Sequence, residues 1–85
     1  CQYSLEYMKT FAKLLKILGN FVASTEVLSM YVRVYKDDLG AHILLAEQYH
    51  EQGRLLEAKA HLDQVLAVEP NHKAALHYKK VWISD

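Results

Sequence analysis

Very little in this sequence breaks a helix. Proline occurs once, at Pro70, and glycine only at Gly19, Gly40 and Gly53. Breakers this sparse exclude a turn-rich chain and favour long helices joined by tight reversals. Cysteine also occurs once, at Cys1. One thiol excludes an internal disulfide and a cysteine metal cluster. A small domain without a disulfide framework points to a reducing compartment, the cytosol or nucleus. Cys1, at a chain end, reads as an inert thiol. An excess of one charge is missing too, because ten basic residues balance ten acidic ones. No long-range positive field is available to concentrate nucleic acid. No apolar run approaches the ~20 residues that cross a bilayer. Neither nucleic acid nor a membrane is therefore an expected partner. An initiator methionine and a signal peptide are also lacking, so Cys1-Gln2-Tyr3-Ser4 reads as the start of a fragment or a processed product.

What is present is apolar. Hydrophobic residues make up 52% of the 85, above the ordinary share for soluble domains, which excludes disorder. One domain of this size buries only about 60–65% of its unfolded surface. The expectation is a packed core with apolar surface left over for a neighbour.

The apolar residues recur at helical spacing. Leu5, Met8, Phe11, Ala12, Leu15 and Leu18 predict one buried face of a first helix, with Ser4 as its cap and Gly19-Asn20 as its end. A second helix is predicted from about Phe21 to Tyr35, with Phe21, Ser24, Leu28, Tyr31 and Val32 on one side. Its Val and Tyr content makes strand the competing reading, and its length and spacing decide for helix. Lys36-Asp37-Asp38 opens the next unit. Helices from about Leu39 to Gln52 and Leu55 to Val68 follow, with Leu45, Ala46 and Tyr49 inward on one and Ala58, Leu62, Val65 and Leu66 on the other. Pro70 stops the fourth helix. Asn71 is the predicted cap of a fifth, from about His72 to Ile83.

The two halves repeat. Gly19 and Gly53 lie 34 residues apart, and at the same offset Phe11-Ala12 answers Leu45-Ala46, Leu15 answers Tyr49, Leu28 answers Leu62 and Val32 answers Leu66. A 34-residue period signals stacked helix pairs, each unable to bury its face alone.

These residues resemble the tetratricopeptide repeat. The unit from Leu39 to His72 is the better match, with Leu45, Ala46, Tyr49, Gly53, Ala58 and Pro70 in register. It departs at His42, where the family has tryptophan, at Leu62 for an aromatic, and at Val65 for alanine. The unit from Leu5 to Asp38 is a degenerate copy that keeps Phe11, Ala12, Gly19 and Leu28 and has Ser24, Tyr31 and Lys36 at the Ala, Ala and Pro positions. The resemblance covers nearly the whole chain. It implies an all-α fold of antiparallel helix-turn-helix repeats, an α-solenoid of five helices forming one domain over 1–85. Repeat one is then 5–38, repeat two 39–72, and the terminal helix 72–83. Ala46 and Ala58 are small because paired helices cross closely there. Lys79 and Lys80 fall where Leu45-Ala46 and Phe11-Ala12 stand, so the last helix reads as a cap with a polar outer face. Ala75, Tyr78 and Trp82 would share its inner side.

In this family the first helix of each pair lines a concave groove. By resemblance the groove positions are Glu6, Lys9, Thr10, Lys13 and Lys16 on the first helix. On the third they are Gly40, Ile43, Leu44, Glu47 and His50, and on the fifth Ala74, His77, Tyr78 and Val81. The matching ligand is a peptide with an acidic end and an apolar anchor. The subfamily that clamps acidic chaperone tails is a poor match. Only Lys9 fits its five positions, and Lys13, Leu44, Ala74 and Tyr78 depart. Beyond the repeat's core set, Val22, Met30, Val34 and Tyr35 are apolar, and a partner or a second copy of the chain is a candidate contact.

No catalytic constellation emerges. The five histidines are scattered, no HExxH, CxxC or phosphate loop occurs, and Glu47 with His50 reads as a surface pair. The expectation is a protein-binding scaffold or adaptor that is not an enzyme and needs no cofactor or metal. Two alternatives stay open: a self-associating or assembly segment of a longer solenoid, and a peptide-docking domain of a larger enzyme. The peptide-binding domain of collagen prolyl hydroxylases is similar in size, but it lines its groove with tyrosines. Here Tyr31 and Tyr49 fall at core positions.

Overall fold

Five α-helices and no strand make up residues 6–83, which are the residues described by a computed structural model of the chain. They are α1 (Glu6–Ile17), α2 (Phe21–Val34), α3 (Leu39–Glu51), α4 (Leu55–Val68) and α5 (Lys73–Ile83). The predicted cap Ser4, the predicted core residue Leu5 and the thiol of Cys1 lie outside the described residues, as do the side chains of Glu6 and Ile83. Each helix packs on its neighbours in the chain, as short connections require. The fold is all-α, as the periodicity predicts.

The two glycines reverse the chain in the same way. Gly19 and Gly53 have φ of 84° and 75°, a left-handed backbone that side chains with a Cβ resist. Around Gly19, the Asn20 N–H donates to the Leu15 carbonyl (2.8 Å) and the Gly19 N–H to Lys16 (2.9 Å). Around Gly53, Arg54 donates to Tyr49 (2.8 Å) and Gly53 to His50 (3.0 Å). Both are Schellman caps, and every participant is displaced by the repeat offset.

Side chains start three of the helices. Asn20 has a second role beyond ending α1, because its Oδ1 accepts the Ala23 N–H (3.2 Å) and caps α2. Asp38 Oδ1 accepts from Ala41 N (3.1 Å) and caps α3. At α5 the cap is not Asn71. His72 Nδ1 accepts the Ala75 N–H (3.2 Å), so the helix begins one residue later than the sequence predicts.

Two clusters form the core. Ala12, Leu28 and Leu45 join α1, α2 and α3; Ala46, Ala58, Leu62, Val65 and Ala75 join α3, α4 and α5. The close crossing inferred for Ala58 has a direct counterpart in the first pair. Ser24, at the equivalent position, is fully buried and its hydroxyl donates to the Ala12 carbonyl at 2.8 Å. A residue much larger than serine would hold those backbones apart.

The predicted buried face of α1 needs correction. Ala12 is buried, and Met8 and Leu15 are half-buried, but Phe11 and Leu18 are exposed. The reason is positional. Leu45, the equivalent of Phe11, is covered by Ala12 and Leu28 of the preceding pair, whereas no described helix precedes α1.

Gln48 is buried on α3, and its Oε1 has no hydrogen-bond partner among the described residues. An orphaned amide oxygen typically costs 1–3 kcal/mol, roughly. Gln48→Leu is therefore expected to raise stability by about 1 kcal/mol, read as a higher urea midpoint with an unchanged slope.

Candidate partner-binding groove

One face of the molecule carries side chains from α1, α3 and α5 in contact. Glu47 on α3 sits at its centre. Its Oε2 accepts a 2.6 Å hydrogen bond from the Tyr78 hydroxyl of α5, and its Oε1 accepts one from Lys16 Nζ of α1 at 3.4 Å. The carboxylate beside Tyr78, together with burial, pushes the phenol above its ordinary range, so the hydroxyl stays a donor.

An aromatic ladder runs beside this carboxylate. Trp82 stacks between two rings, His50 at 4.2 Å and Tyr78 at 4.4 Å between centroids, both within about 12° of parallel. His77 stands tilted against Tyr78 at 5.7 Å and is exposed. A depression of about 300 Å³ is lined by Lys16, Glu47, His50, Glu51, Tyr78 and Trp82. Such a shelf offers flat apolar surface next to two carboxylates, Glu47 and Glu51, and the Lys16 ammonium.

Four of the residues assigned to the groove by resemblance thus meet: Lys16, Glu47, His50 and Tyr78. The others are distributed differently. Lys9 donates to Asp38 Oδ2 at 3.1 Å and lies 5.7 Å from the Tyr31 ring centroid. Partial burial pushes the Asp38 carboxyl up, but the Tyr31 hydroxyl (2.7 Å), Lys9 and the Ala41 N–H outweigh it and hold the group below its ordinary range. Lys13, one turn along, is exposed. Ile43 and Leu44 are half-buried and pack onto the two core clusters. Lys79, read from sequence as part of a polar outer face, is half-buried and reaches Asp63 of α4 at 2.9 Å.

Trp82 belongs to this site, although the sequence assigns it only to the inner side of α5. Its signal is the four-residue spacing from Tyr78, which stacks two aromatics on one helix face.

A second missed constellation lies between α3 and α4. His42 Nδ1 and His61 Nδ1 are 3.0 Å apart, and His42 Nε2 is 3.0 Å from the Lys36 carbonyl oxygen. A carbonyl only accepts, so His42 carries its proton on Nε2. Its Nδ1 then accepts from His61 Nδ1–H. Ring centroids 5.2 Å apart with the nitrogens at 3.0 Å set the rings nearly end to end. That is hydrogen-bond geometry; chelation needs two lone pairs converging on a metal about 2.0–2.1 Å from each nitrogen. Among the described residues no group of three or more His, Cys, Asp or Glu is placed to hold a metal ion.

A third feature is a hollow of about 430 Å³ beside α2, lined by Val22, Thr25, Glu26, Ser29, Met30, Arg33, Tyr49 and Arg54. Val22 and Met30, apolar beyond the core set, are exposed at its rim, and the Arg54 guanidinium covers the Tyr49 ring at 4.7 Å. Among the described residues no helix is long and apolar enough to cross a membrane.

Compared with known proteins, the chain matches no family model, no curated protein and no solved structure.

Proposed function

We propose that this chain is a protein-interaction module, similar to a tetratricopeptide repeat, and that its α1–α3–α5 face binds an extended peptide. The observation that carries the reading is the convergence of Lys16, Glu47, Tyr78, Trp82 and His50 on that face. Core formation does not require three helices to present stacked rings and a shared carboxylate beside an open depression. Aromatic shelves with a few fixed polar groups are what peptide sites use.

The ligand's chemistry follows from what the chain leaves available. Lys9 and Lys16 already neutralise Asp38 and Glu47. The exposed ammonium of Lys13 is then the cation that meets an acidic peptide end, and the Tyr78–Trp82 shelf takes an apolar or planar anchor. The role is that of a scaffold or adaptor in a multiprotein complex, without chemistry of its own, in the cytosol or nucleus.

Selection of a random-peptide display library on the folded chain tests this. Enriched sequences should pair acidic with apolar residues. Lys13→Glu should weaken their binding roughly fivefold to tenfold at low salt, with the loss shrinking as salt screens the contact. Equal binding by Lys13→Glu at every ionic strength would remove the assignment.

A further inference from the structure

The lysine face of α1 is only one of its sides. On the opposite side Tyr7, Phe11, Leu14 and Leu18 follow one another at spacings of four, three and four, and they are 61, 48, 53 and 79% exposed. That alternation is the seam of a coiled coil, in which apolar residues stay on one line along the helix. Leu18 continues the helical bonding past Ile17, since its N–H donates to the Leu14 carbonyl at 3.0 Å.

The repeat offset shows what such a face does elsewhere in the same chain. The equivalents are Ala41, Leu45 and Gln48 on α3 and Gln52 at its C-cap. The first three are buried, and the Gln52 amide reaches the Phe21 carbonyl and Thr25 hydroxyl of α2. On α3, therefore, this line of residues is a helix-packing face. On α1 the same line is open.

The substitutions along it say which helix it fits. Ala41 becomes Tyr7, which is too large for the close approach of an α2-like helix. Gln48 and Gln52 become Leu14 and Leu18, and at Leu18 the amide that bonds α2 is lost. The small and polar packing of the repeat has given way to a continuous line of large apolar groups. Lys9, Lys13 and Lys16 all project from the far side of the helix, so two such seams can meet without bringing like charges together. A surface that is apolar, linear and free of charge is complementary to itself.

We propose that the Tyr7–Phe11–Leu14–Leu18 seam of α1 is a homodimer interface, packed against the same seam of a second copy about a two-fold axis. The two peptide grooves then remain free on the opposite sides of the paired helices. Four residues from each copy make an interface smaller than the ~1,200 Å² of standard complexes, so association is weak and reversible.

Sedimentation equilibrium of the folded chain over a range of concentrations tests it. The expected result is a monomer–dimer equilibrium with a dissociation constant on the order of 10 µM. Leu14→Glu and Leu18→Glu should each raise that constant at least tenfold or so, because they place a charge in the seam, while far-UV circular dichroism stays at the wild-type level. Leu18 is so exposed that its replacement leaves the monomer's core intact. Leu56→Glu, on the exposed side of α4, should leave the constant unchanged. A chain that sediments as a monomer up to about 1 mM contradicts the proposal. So does a dimer that tolerates both seam variants, or one lost equally in Leu56→Glu.

Discussion

Ala58→Arg abolishes cooperative folding. Ala58 is fully buried among Ala46, Leu62, Val65 and Ala75, where α3 crosses α4 and α5 packs alongside. An arginine there needs volume that a close-packed interior lacks. It also carries a charge with no carboxylate in that cluster to pair with, and a lone buried charge costs several kcal/mol. Domains of this size are stable by roughly 5–15 kcal/mol at most, so the two penalties together exhaust the margin. The expected result is a broad or absent thermal transition by circular dichroism. A melt as sharp and as high as the wild type would show that the crossing is elsewhere.

Acidification should loosen the α3–α4 pair through His61. Burial first, and the neighbouring His42 second, lower the His61 pKa to about 4. An unfolded histidine titrates near 6.5, roughly. Between those values the unfolded chain binds more protons than the folded one, so stability falls as pH falls. The contribution is complete above about pH 6.5 and is lost progressively as pH drops through about 4. The full shift corresponds to about 3 kcal/mol, and solvent access to the half-buried ring reduces that to roughly 1–2 kcal/mol. Urea midpoints measured from about pH 7.5 down to about pH 4 check this against His61→Gln, which keeps an N–H donor for His42 but does not titrate. The variant should show the shallower decline. Identical declines in both proteins would contradict the role of the pair.

Much of this was legible in the residues. Gly19, Gly53 and Pro70 mark helix ends by backbone chemistry that acts locally, which is why the predicted ends of α1, α3 and α4 agree with the structure within one residue. Periodicity correctly finds the apolar side of α1, but it is silent on whether a neighbour covers that side. Phe11 and Leu45 carry the same signal, and only Leu45 has a helix against it. The cap at His72 was missed because an imidazole acceptor is a rare substitute for the adjacent asparagine. The contact of His42 with His61, 19 residues apart, exists only once α3 and α4 pair, and no spacing rule encodes it. For the groove, resemblance supplied Lys16, Glu47, His50 and Tyr78. It could not show that Lys9 is engaged by Asp38, because that pairing needs the α2–α3 connection folded against α1.

Trp82 makes the groove directly observable. It is the sole tryptophan of the chain and stacks between His50 and Tyr78. The decisive measurement is its fluorescence during titration with the best acidic–apolar peptide from the display selection. A peptide that occupies the α1–α3–α5 face should change the emission saturably, with a midpoint equal to the dissociation constant found by calorimetry and displaced to weaker binding by Lys13→Glu. Calorimetric binding with unchanged Trp82 emission would put the ligand on another surface and contradict the proposed site.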